Sequence, residues 1–160
     1  MKGCIMKRTI GIVAAFAILS ACATLPSPEV MKAETASYQL PKLPEQEKAL
    51  IYVVRPSGAA GLISFAVYLG DQELQSEMGY TRSIQHVHFN VAPGEHRVYS
   101  HAENWADVQV SAKPGEVIFI KQEPIFGILF ARNNLSVIDE LEGKFHVKNT
   151  TRGTIIKQDK

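Results

Sequence analysis

The chain has 160 residues, 46% of them hydrophobic and 21% charged, with a formal net charge of +1. That length suits one domain with its own core, and so balanced a charge argues against nucleic acid, which needs a basic stripe. Both cysteines, Cys4 and Cys22, lie near the N-terminus. The rest of the chain can therefore hold no disulfide, thiolate nucleophile or Cys-ligated metal.

The N-terminus has the layout of a secretory signal: Lys7 and Arg8, then an uncharged apolar run over 9–21, then small residues ending on Cys22. That run of about 13 residues is short of the roughly 20 that a spanning helix needs. Leu19-Ser20-Ala21-Cys22 resembles a bacterial lipobox. The resemblance implies cleavage before Cys22, a diacylglycerol on its sulfur and an N-acyl chain on the new terminus. Three acyl chains make a durable anchor, where one binds only marginally. Both Met1 and Met6 stand as candidate starts, and Met6 opens the tidier signal. Ala23 is not the Asp that, in such lipoproteins, favours retention at the inner membrane, so the expected location is the outer membrane, facing the periplasm. Removal of 1–21 takes away Lys2, Lys7 and Arg8 and leaves the mature chain at a formal charge of about −2.

Residues 22–47 carry Pro26, Pro28, Pro41 and Pro44 with scattered charge. They read as an extended tether of up to about 3 Å per residue, with room for a short helix around 29–37. From residue 48 the pattern changes to short β-rich runs. Residues 49–55 (Ala-Leu-Ile-Tyr-Val-Val-Arg) are apolar and β-branched, and Pro56-Ser57-Gly58 stops them. Runs follow at 62–69, 83–91 (alternating, with one slip near Gln85), 96–101, 105–111, 116–122 and 126–132. Gly70-Asp71, Pro93-Gly94 and Lys113-Pro114-Gly115 separate several of them. Leu135, Ile138, Leu141 and Phe145 then recur at helical spacing, with Ser136 available as an N-cap. The expectation is an all-β domain over 48–149, a sandwich of about seven antiparallel strands with a short C-terminal helix, followed by a polar tail over 150–160.

Several of these segments, in this order, are similar to the bacterial family catalogued as domain of unknown function 2846. They are 49–56, Val67-Tyr68-Leu69-Gly70-Asp71, Val91-Ala92-Pro93-Gly94-Glu95-His96, 113–122 and Leu135-Ser136-Val137-Ile138-Asp139-Glu140. The similarity spans about 46–148. It departs from the family pattern where Glu116-Val117-Ile118-Phe119 replaces an aromatic pair. It implies a small β-rich envelope protein and no established activity.

Three histidines draw attention as candidate metal ligands. If Pro93-Gly94 closes a two-residue hairpin, 87 pairs with 100 and 89 with 98, and His86, His88 and His101 share one face. The competing reading is a solvated polar face, and a one-residue slip would scatter the set. His96 reads as a hydrogen-bonded structural residue, and His146 as exposed. Ser57-Gly58-Ala59-Ala60-Gly61 lacks the Lys-Ser/Thr ending of a phosphate-binding loop, and no Gly-x-Ser-x-Gly occurs. Asp71 and Asp139 sit where carboxylates serve turns and helix starts.

Residues 125–130 (Ile-Phe-Gly-Ile-Leu-Phe) are the most hydrophobic run of the mature chain. They read as a core strand, or as an apolar edge that docks on a protein or the bilayer. Trp105, Phe126 and Phe130 are the interaction candidates, although Trp105 also suits a half-buried place beneath a loop. The sequence thus points to a non-catalytic, lipid-anchored envelope module that contacts an envelope protein or cell-wall polymer. No cofactor is expected beyond the lipid on Cys22. The alternative is a periplasmic small-ligand or divalent-metal binder using the hairpin histidines.

Overall fold

A computed structural model describes residues 25–127 and 131–159. Cys22 and Phe130 lie outside them. After helix α1 (Pro28–Thr35), the described strands are β1 (Ala49–Arg55), β2 (Phe65–Leu69), β3 (Glu77–Thr81), β4 (Gln85–Val91), β5 (Gly94–His101), β6 (Trp105–Ala112), β7 (Val117–Phe126) and β8 (Ala131–Ile138). Helix α2 (Glu140–Lys148) and the short strands β9 (Thr151–Arg152) and β10 (Thr154–Ile155) complete the chain. Two five-stranded sheets form, in the orders β8-β7-β1-β4-β9 and β10-β3-β2-β5-β6. The fold is an all-β sandwich with a short C-terminal helix, as expected. It is not wholly antiparallel, because β1 pairs in parallel with β7, and β4 with β9.

Strand β1 is the centre of the first sheet, and every one of its residues is buried. Alternation sends Ala49, Ile51 and Val53 into the inter-sheet core with Phe89, Val67, Met78, Val98 and Ile120. Leu50, Tyr52 and Val54 face the other way, against Phe119, Val147 and the partly buried Tyr38 and Leu40. Burying each such side chain contributes about 1.5–3 kcal/mol. A strand with both faces covered reads as one continuous apolar run, which is why 49–55 is so legible. Between the sheets, Gln122 donates to the Ser100 hydroxyl at 2.6 Å and accepts from Thr81, so this buried amide is satisfied across both layers.

Several further expectations are corrected. Residues 83–91 and 96–101 are not a hairpin: β4 pairs with β1 in the first sheet, and β5 with β2 and β6 in the second. Pro93-Gly94 is a corner between layers, with Gly94 at φ +136°. The slip near Gln85 is Ile84, held at φ +54° just before β4 begins. The run expected at 126–132 is divided, because β7 ends at Phe126, which pairs with Ala131 at the start of β8.

The helix expected over 135–147 is instead the end of β8 followed by α2. The N-cap is Asp139, which accepts from the Glu142 amide at 2.9 Å, and not Ser136. The tether is largely docked. Ser27 caps α1, α1 packs on α2, and the Tyr52 hydroxyl both donates to and accepts from the Lys42 backbone at 2.9 and 3.0 Å. The polar tail adds β9 beside β4 and β10 beside β3, so the C-terminus joins the edges of both sheets.

Candidate functional site

The two outer faces of the sandwich differ. Helices and residues 38–48 cover the first sheet, whereas the outer face of the second sheet is covered by no element among the described residues. Register sets what that face shows. Ala66 lies between Tyr80 on β3 and His101 on β5, and the next row brings Tyr68 beside Tyr99. His101 pairs with Trp105, and their rings stack with centroids 4.3 Å apart. Tyr68 meets the same indole at 5.1 Å. Trp105 remains 39% exposed, so the indole is part of the surface although two rings cover some of it.

The small Ala66 leaves a groove of about 360 Å³ between the larger rings, with Tyr80 on one wall, His101 on the other, and Glu77 and Glu103 beside them. Ring faces offer apolar stacking surface, and carboxylates accept hydrogen bonds from hydroxyl or amine groups. The groove's chemistry therefore suits a polar chain with apolar faces. Of the interaction candidates, Trp105 borders this face and Phe126 ends β7. Ala66 and Tyr80 are residues that the sequence reading does not single out. Their signal is partial: in 64–69 the outward Ala66 and Tyr68 are small and aromatic, whereas Glu77, which lines the same groove from 77–81, is charged.

The three candidate metal ligands are not brought together. His86 and His88 share a face of β4, as expected, but His101 is on the other sheet. Among the described residues no group of three His, Cys, Asp or Glu is placed to hold a metal ion. Nor is the His86–His88 face solvated, since both rings are buried against Tyr52, with centroids 5.7 and 5.2 Å away.

Thr150 donates its hydroxyl proton to the His146 carbonyl at 2.8 Å, so it accepts from His86 Nδ1–H at 2.9 Å. His86 Nε2 is then a buried lone pair, and neither it nor His88 Nδ1 has a hydrogen-bond partner among the described residues. Burial, with nearby His88 and Arg152, pulls the His86 pKa down to about 4. Burial, then Arg152 and Lys42, lowers that of His88. The rings are thus neutral near pH 7. They line a cavity of about 410 Å³ with Lys42, Lys148 and Arg152, and no Asp or Glu lines it among the described residues. Cations in that number oppose a divalent metal and favour an anion.

His96 is half-buried and bonds the Ala92 carbonyl at 2.6 Å, in keeping with a structural role. His146 is buried rather than exposed, and burial lowers its pKa although Glu142 at 3.3 Å works against the shift. Asp71 accepts from the Glu73 amide at 3.0 Å, the local role expected of it.

No family model matches the chain. It is similar to a protein of Haemophilus influenzae described as an uncharacterized protein. The two are 27% identical over 128 residues, which cover 79% of this chain and 73% of the relative.

Proposed function

We propose that the chain is a non-catalytic lipoprotein of the bacterial envelope, akin to the domain of unknown function 2846 family. In this reading it is acylated on Cys22, anchored in the outer membrane and directed to the periplasm. Its domain is an interaction module, and the outer face of the second sheet is the surface that contacts an envelope protein or a cell-wall polymer. The observation that carries the reading is the asymmetry of the sandwich. One outer face is buried under two helices and a docked segment, while the other displays a groove walled by Tyr80 and by His101, whose ring stacks on Trp105.

A Tyr80→Ala/Trp105→Ala variant tests this, since both side chains are part-exposed or exposed and their loss leaves the core intact. Aromatic anchors of an interface contribute about 2 kcal/mol or more each. Retention of the variant on isolated sacculi or in cross-linked envelope complexes should fall at least tenfold, with an unchanged far-ultraviolet spectrum. Retention equal to that of the parent would overturn the assignment of this face.

The cavity beside His86 and His88 supports a second reading as a small-ligand site. Its lining by Lys42, Lys148 and Arg152 replaces the divalent metal of that reading with an anion.

A further inference from the structure

We propose that one end of the sandwich rests in the interfacial layer of a lipid bilayer. The surface is built from loop 56–64, turn 81–84 and the paired residues Ile125 and Arg132 of β7 and β8. Four large apolar side chains are exposed there: Leu25, Leu62, Ile84 and Ile125, and Leu62 is 98% exposed. Residues 56–64 carry no charged side chain. Arg82 and Arg132, both exposed, flank the apolar group, with Arg132 opposite Ile125 across the two strands. An apolar tip ringed by cations matches an anionic lipid surface. Carboxylates also lie near this end: Glu123 is paired with Lys121 at 3.3 Å, and Glu103 follows the end of β5.

Loop 56–64 is also built for a medium without water. A backbone entering apolar surroundings must satisfy its polar groups internally. The Arg55 guanidinium, fully buried, does this from beneath. It donates to the carbonyls of Ala59 at 2.9 Å, Ala60 at 2.8 Å and Ile63 at 2.7 Å, and sits 3.8 Å over the Phe65 ring. The Ser57 carbonyl accepts from the Ile84 amide, and the Ser57 hydroxyl from the Ala59 amide. Three of the loop's carbonyls are thus turned onto the guanidinium, while Leu62 stands outward beside the exposed Gly58, Ala59 and Ser64.

The start of the described chain places this end against a membrane. Leu25 and Pro26 line a depression shared with Pro56, Gly58 and Phe145, so the N-terminus emerges beside the loop. Cys22 lies three residues before Leu25, and three residues span at most about 11 Å. The inference rests on the acylation proposed above, because that short reach brings the tip to the bilayer once Cys22 carries lipid. Apolar side chains on such a surface enter the headgroup–acyl boundary by about 5–10 Å.

The test uses the full chain as processed in cells, purified from membranes and reconstituted in phosphatidylethanolamine–phosphatidylglycerol vesicles. An environment-sensitive fluorophore is attached at Leu62→Cys or, as control, at Leu74→Cys. Leu74 is exposed in the β2–β3 connection at the opposite end. Neither position is buried, so both variants fold. Intact mass on each sample reports acylation. The expected result is acylated protein whose label at 62 shifts to the blue and is quenched by doxyl-labelled lipid, while the label at 74 does neither. Acylated protein with both labels in water would overturn the bilayer contact and leave the anchor standing. Absence of lipid on Cys22 would overturn both.

Discussion

Gly143→Ala is expected to destabilise the domain by roughly 1–3 kcal/mol or more, in the range measured for overpacked cores. Gly143 is in the middle of α2, where alanine is intrinsically better by about 1 kcal/mol, so helix propensity alone predicts the opposite sign. Packing decides. A Cβ at this position would lie 2.1 Å from Cγ of Phe119 and 2.6 Å from its Cβ. These atoms are close to the β7 backbone and cannot swing aside like the end of a flexible chain. Phe119 is itself pinned, buried and stacked on Tyr52 at 5.7 Å. The helix must therefore lift from the sheet or the ring must leave its place. Urea unfolding checks the sign, and Phe119→Val in the same chain should recover part of the loss. A Gly143→Ala protein as stable as the parent, or more so, would contradict the packing of α2 on the first sheet.

Arg55→Met should cost on the order of 2–4 kcal/mol and open loop 56–64 to protease. Methionine keeps much of the volume of the side chain but none of its donors. Hydrogen bonds from charged donors contribute about 1.5–3 kcal/mol each, and loss of the guanidinium releases three loop carbonyls at once. The cost of burying the cation, which also lowers its pKa, is relieved in the variant and limits the net loss. Arg55→Lys should not rescue, because a single ammonium cannot span Ala59, Ala60 and Ile63 as the planar fork does. Limited proteolysis followed by mass mapping locates the opening. Equal stability with an intact loop would show that the loop holds its shape without the guanidinium.

Much of the sandwich is readable in the sequence, and the failures share a cause. Strands whose side chains sort cleanly, such as β1 and β6, stand out because burial on both faces or on one imposes a simple pattern. Strand β4 misleads because a second layer of protein buries its polar face. His86, His88 and Asn90 alternate with Val87 and Phe89 as they would on a solvated hairpin, yet they lie beneath residues 38–48 and the C-terminal segment.

The docked segment has the composition of a tether, since prolines suit both an extended linker and a chain that lies flat on a sheet. A corner and a hairpin use the same Pro-Gly, so its local chemistry could not separate one sheet from two. In 135–147, Leu135 faces the core from β8 and Phe145 lies on α2; their helical spacing joins two elements that meet at Asp139. Of the candidate sites, Trp105 was visible as an aromatic beside a turn. The groove over Ala66 needed the register of three strands, which no local pattern carries.

The central claim is a module held at the membrane by Cys22, and the mass of the mature protein isolated from the envelope tests it most directly. The account predicts a chain that begins at Cys22 and carries a diacylglycerol and an N-acyl group, fractionating with outer membrane, while Cys22→Ser is neither processed there nor retained. A mature chain that begins elsewhere, or that begins at Cys22 without lipid and is recovered free of membrane, would contradict it.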